Sequence, residues 1–141
     1  MENSQAATSN NQLRSFQDLE CWKKCRELRL FVAREVVPAL PKDERYRLGD
    51  QFLCAARSTM ANIAEGYGRF HYLDNAKFCS NARGSCFEVL DHFITSLDEK
   101  LVPVELEERG RELVSTAITV LNGYMRYLKR SNSGERITNN E

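Results

Sequence analysis

Phe52-Leu-Cys-Ala-Ala-Arg-Ser-Thr-Met-Ala-Asn-Ile-Ala64 decides the fold. Its clearly polar side chains are Arg57, Ser58, Thr59 and Asn62. Leu48, Phe52, Ala55 and Thr59 fall on one helical stripe, and Leu53, Ala56, Met60, Ile63 and Tyr67 on a second. A helix apolar around so much of its circumference needs more than one neighbour. The stretch is either the central helix of a small bundle or a helix that faces a second subunit.

Working outward, Pro41-Lys-Asp-Glu44 reads as the start of this helix, with proline in the first turn and acids at the positive end of the dipole. It is expected to run from about Lys42 to Glu65, with Gly66 supplying a positive φ at its end. Asn62 and Glu65 are expected to form a polar network holding that turn. A first helix is expected from about Asp18, its cap, to Val37, where Pro38 ends it. Cys21, Cys25, Leu28, Val32 and Val36 form its stripe. A third spans about Leu73 to Leu101, with Phe78, Ala82, Ser85, Cys86, Val89, Phe93 and Leu97 inward. The small residues Ala82, Gly84 and Ser85 would admit a close neighbouring helix. A fourth opens at Pro103, carries Leu106, Gly110, Leu113, Ala117, Val120, Tyr124 and Leu128 inward, and stops near Arg130. Short connections between four such helices predict an all-α, antiparallel up-down-up-down bundle over residues 16–130. Residues 1–15 and 131–141, rich in Ser, Asn and Gln, read as disordered tails.

The chain's 141 residues suit one domain and one core. Twenty basic residues cancel twenty acidic ones, so this is not a uniformly basic nucleic-acid coat. The densest apolar stretches, such as Leu28–Ala33, are broken by charge and fall short of the ~20 residues of a membrane span. The start, Met-Glu-Asn-Ser-Gln, lacks a basic and apolar leader, and the expected compartment is the cytoplasm. Five cysteines, an odd number, suit reduced thiols better than a disulfide framework.

Little points to catalysis. His71 and His92 are the two histidines, about twenty residues apart on one helix, and no nucleophile, P-loop or dinucleotide motif is present. Glu88-Val-Leu-Asp-His92 misses the Glu-x-x-His spacing of bundle diiron sites and occurs once. Cys21, Cys25, Cys79 and Cys86 could in principle meet as metal or redox ligands. They lack the tight Cys-x-x-Cys knuckles of zinc sites, and core packing is the expected role. No enzyme activity, metal or cofactor is expected.

Charge placement says more. Residues 84–108 carry one base, Lys100, against seven acids, five of them around the third turn of the bundle. The opposite end gathers Lys23, Lys24, Arg26, Arg69, Lys77, Arg126, Lys129 and Arg130 against Asp18, Glu20, Glu65 and Asp74, an excess of four. Helix-dipole complementarity accounts for bases at the end of the fourth helix but not for those at the start of the first. A basic end suits phosphates.

Phe16-Gln-Asp-Leu-Glu-Cys-Trp22, Leu48-Gly-Asp-Gln51 and Asn62-Ile-Ala-Glu-Gly-Tyr-Gly-Arg69 resemble the bundle proteins encoded in intervening sequences of bacterial 23S rRNA genes. Phe78, Ala82-Arg-Gly-Ser85 and Glu88 continue the likeness, which covers residues 16 to about 129. The resemblance implies a four-helix bundle assembled as a homopentamer. It extends to the accessory variability proteins of diversity-generating retroelements, which bind a reverse transcriptase and nucleic acid. This chain has Phe52, Leu53 and Cys54 where relatives commonly carry arginines. Nucleic acid is therefore expected on the basic end, through Lys23, Lys24, Arg26, Arg69, Arg126, Lys129 and Arg130. The expected function is a non-enzymatic scaffold for structured RNA or an RNA–DNA hybrid. The alternative is an adaptor for a reverse transcriptase, with little nucleic-acid binding of its own.

Overall fold

The computed structural model describes residues 15–139, of which 133–139 are described by their backbone alone. Ser15 and Asp18 cap a short 3-10 turn, Phe16–Asp18, reciprocally, each side chain accepting from the other's end of the turn. Helix α1, Glu20–Phe31, follows from Leu19, which gives no side-chain cap. Asp18 thus closes the preceding turn rather than capping α1. Helices α2, Leu48–Tyr67, α3, Tyr72–Asp98, and α4, Val104–Asn139, complete an all-helical fold with no strand among the described residues.

Pro38 does not stop the first helix at Val37. The chain widens into a π-helical segment, Val32–Val36, and makes a last turn, Val37–Ala39. Proline has no amide to give Arg34, four residues back, and its ring crowds that carbonyl. The wide turn contains Arg34 and keeps Val32, Val36 and Leu40 buried.

The second helix begins at Leu48, not Lys42. Pro41 accepts from the amides of Glu44 and Arg45 to form one turn, and Arg47, at φ −115° and ψ −88°, breaks it. The segment instead closes the turn Val37–Ala39. Arg45 donates to the carbonyls of Leu40 at 3.2 Å and Pro38 at 3.1 Å, which a helix end leaves without partners.

Cross-contacts make α2 and α3, and α3 and α4, antiparallel. Ser58 meets Ser85 at 2.9 Å while Phe52 meets Phe93, ring centroids 4.9 Å apart, further along. Asn75 donates to Tyr124 at 3.1 Å and Arg83 to Asn122 at 2.8 Å. The Arg109 guanidinium lies 5.4 Å over the Phe31 ring, closing α4 onto α1. Among the described residues, no helix is long and apolar enough to cross a membrane.

The core line of α4 is Glu107, Gly110, Val114, Ala117, Leu121, Met125 and Leu128, so the expected stripe is rotated. Leu106, Leu113, Val120 and Tyr124 are half-buried at its edge. Glu107, one of the seven acids counted above, is 1% exposed and ion-paired with Arg111. The backbone of α4 also runs past Arg130 to Asn139, where composition predicts a tail. Extending a packed helix fixes one residue per bond, far less costly than nucleating one. The first expected tail, apart from Ser15, lies outside the described residues.

Cys21, Cys25, Cys79 and Cys86 are buried between α1 and α3, whereas Cys54 is exposed. Among the described residues no group of three or more His, Cys, Asp or Glu stands where it could hold a metal ion. Burial, with the neighbouring thiols, pushes Cys21 up to about 12 and Cys79 likewise to about 12. Cys86 is raised chiefly by its hydrogen bond to Cys25, which that same bond lowers, so the pair's effects oppose.

A raised folded-state pKa gives stability that is whole below the unfolded value and lost as pH climbs to the folded one. The window for Cys21 and Cys79 therefore runs from 9.0 to about 12. At pH 10.5 each should have lost of order 1–2 kcal/mol of stability. Urea midpoints are expected to fall steeply between about pH 8.5 and 10.5. The Cys21→Ala/Cys79→Ala variant should show a shallower fall, with Cys86 and Tyr124 left to titrate. Equal slopes for the two proteins would show that these thiols do not titrate with unfolding.

Candidate nucleic-acid interface

Three segments meet at one end of the bundle: the start of α1, the α2–α3 turn and the α4 turns around Tyr124–Leu128. They enclose a pocket of about 440 Å³ floored by Leu19 and Leu128. Arg69 stands on its wall.

The α2–α3 turn is built differently from the expectation. Gly66 has no positive φ. It is buried inside the last turn of α2, and Gly68 ends the helix at φ −75°. A Cβ on Gly66 would stand 2.7 Å from Asn75 Oδ1 and 2.8 Å from the Phe78 Cβ. Glycine is needed here for close approach of α3, not for backbone conformation. Asn62 turns backward, donating to the Ser58 carbonyl at 2.9 Å and to its hydroxyl at 3.1 Å. Glu65 alone reaches across the turn, accepting from Arg69 at 3.1 Å.

The expected basic residues differ in how much charge they offer. Lys23 pairs with Glu20 at 3.2 Å, and Lys24 pairs with Glu27 at 3.7 Å. Arg69, besides its bond to Glu65, has its guanidinium 4.6 Å over the Phe78 ring. Adding Glu27 to the acids already counted lowers the excess at this end from four to three. Arg26, Arg126, Lys129 and Arg130 are exposed. Because α4 continues to Asn139, Arg126, Lys129 and Arg130 do not occupy its last turn. The helix dipole fades within a turn of the end, so it does not account for them.

Sequence reasoning missed the aromatic wall. Tyr67, Phe70, His71, Tyr72, Tyr124 and Tyr127 line the pocket. Four of the chain's five tyrosines therefore stand at this end. Tyr124 and Tyr127 stack with centroids 6.1 Å apart, and Phe70 packs edge-on to His71 at 5.0 Å. Burial pushes the Tyr124 hydroxyl up to about 12, so it remains a protonated donor while its oxygen accepts from Asn75. The signal lies in the i, i+3 spacing of Tyr124 and Tyr127 and in Phe70-His-Tyr72, but Tyr67 and Tyr124 also fit the core stripes of their helices.

No curated protein matches the chain. The family model of the 23S rRNA-intervening sequence protein matches residues 17–123, from the first 3-10 turn to the middle of α4. With that match across all four helices, the chain belongs to the 23S rRNA-intervening sequence protein family.

Proposed function

We propose that the protein is a non-enzymatic scaffold that binds structured RNA or an RNA–DNA hybrid by its phosphates, through the basic end of the bundle. The observation that carries this reading is the convergence of three chain segments on one end with an excess of three positive charges. Assembly into a homopentamer would place that end of every subunit on one face and multiply its field. Exposed Phe87, Ile94 and Val104 are apolar surface that such an assembly could cover. Among the described residues no element offers an ordered row of base-reading side chains, so sequence specificity should be low. A reverse transcriptase is the proposed protein partner if nucleic acid proves to be held elsewhere.

The test is fluorescence anisotropy of a labelled structured RNA across a salt series. Affinity should fall by about 100-fold or more between 50 and 200 mM salt, the signature of some four or more phosphate contacts. Absence of binding at about 50 mM salt, where the electrostatic attraction is strong, would overturn the reading.

A further inference from the structure

We infer that the aromatic pocket at the basic end takes an unpaired nucleobase, so that the preferred ligand is a nucleic acid with a single-stranded overhang or bulge. The inference rests on the reading that this end binds nucleic acid, and it adds the class of structure recognised.

A bundle could close its end with aliphatic side chains. Here the wall is aromatic, and its outer members are left in water. Phe70 is 92% exposed and Tyr127 is 53% exposed. Large apolar surface left in solvent at a pocket's rim marks a binding site more often than a packing solution. The pocket's volume of about 440 Å³ lies within the ~300–1,000 Å³ of small-ligand sites. Stacking on aromatic faces is how proteins hold bases that have left a helix, and it tolerates any base.

The polar groups suit the same occupant. Tyr124 accepts from Asn75 and so keeps its own O–H to donate. The hydroxyls of Tyr67 and Tyr72 and the ring of His71 add donors and acceptors around the wall. The surroundings match the charge of the strand carrying the base. Arg69 lines the pocket, and Arg126, Lys129 and Arg130 follow on the α4 turns that form its wall. A duplex alone cannot enter, because its bases are stacked inside. A flipped or terminal nucleotide can, with its phosphates against those cations.

Two RNAs settle the matter: a blunt hairpin, and the same hairpin with a four-nucleotide 3′ adenosine overhang. Anisotropy at fixed salt should give the overhang RNA at least about fivefold tighter binding, as one stacked base is worth roughly 1–3 kcal/mol. Tyr127→Ala and Phe70→Ala should each remove most of that gain and leave blunt-hairpin affinity within about twofold, since stacking and phosphate binding are separate contributions. Both side chains are exposed enough for the fold to survive, and Phe70→Ala remains informative if Tyr127→Ala melts early. A 2-aminopurine placed in the overhang should be quenched by the wild type and not by Phe70→Ala. Equal affinity for the two RNAs overturns the pocket while leaving the phosphate reading standing. Failure to bind either RNA overturns both.

Discussion

Replacing Gly110 by valine should lower the stability of the fold by about 3 kcal/mol or more, a loss of roughly 10 °C in Tm. Gly110 of α4 lies against the Phe93 ring of α3. A Cβ there would lie 2.3 Å from Cζ and 2.4 Å from Cε1 of Phe93. The ring has little freedom to withdraw. Phe93 is fully buried, edge-on to Phe52 at 4.9 Å and against Phe31 at 6.3 Å.

Two effects oppose in the milder variant. Alanine favours a helix interior over glycine by about 0.8–1 kcal/mol, while overpacking a fitted core costs about 1–3 kcal/mol. Gly110→Ala should therefore still destabilise. Gly84 supplies the contrast, since nothing lies within 4 Å of the position its Cβ would take. Gly84→Ala should stabilise the chain by up to about 1 kcal/mol, having only the propensity gain. Thermal melts at one protomer concentration check both signs. Pairing Gly110→Ala with Phe93→Leu should recover part of the loss, which a double-mutant cycle would read as coupling. A stabilised Gly110→Ala would show that the ring has room to move.

How far residues predict structure here depends on the distance over which their effect acts. The helix pattern of Phe52–Ala64 is local, repeating every turn, and it correctly announces a helix, but the burial it suggests on several sides is confined to one face, with Cys54, Arg57 and Ala61 left exposed. Pro38 and Pro41 are also legible as disruptions. Their outcome is not, because the fate of the freed carbonyls depends on Arg45 folding back to Leu40 and Pro38. Gly66 and Gly110 show the same limit. A sequence reveals that a glycine is present, but only the partner helix reveals that Phe78 or Phe93 fills the missing side chain's place. Glu107 misleads because a carboxylate amid other acids reads as solvated, whereas the rotation of α4 buries it beside Arg111. The basic end is legible from topology and charge. The aromatic pocket is not, since its walls come from segments far apart in the chain whose tyrosines individually look like core.

Reversing two charges at this end should have the largest effect on function. Lys129→Glu with Arg130→Glu exchanges two positive charges for two negative ones, turning an excess of three per chain into a deficit of one. Both side chains are exposed, so the fold should tolerate the change. Affinity for a structured RNA should fall at least about 100-fold at roughly 100 mM salt, and the slope of log K against log salt should shrink by about 0.9 for each phosphate left without a cation. Lys23→Glu should cost less, because it reverses one charge where the double variant reverses two. Lys100→Glu, on the acidic α3–α4 turn at the far end, is the control and should leave affinity unchanged. The contrast between the two ends carries the argument. A general loss of positive charge would weaken binding in both variants, whereas a basic end face requires the loss in one. Unchanged affinity in the double reversal would sink the end-face reading and shift the search to a protein partner, starting with a reverse transcriptase.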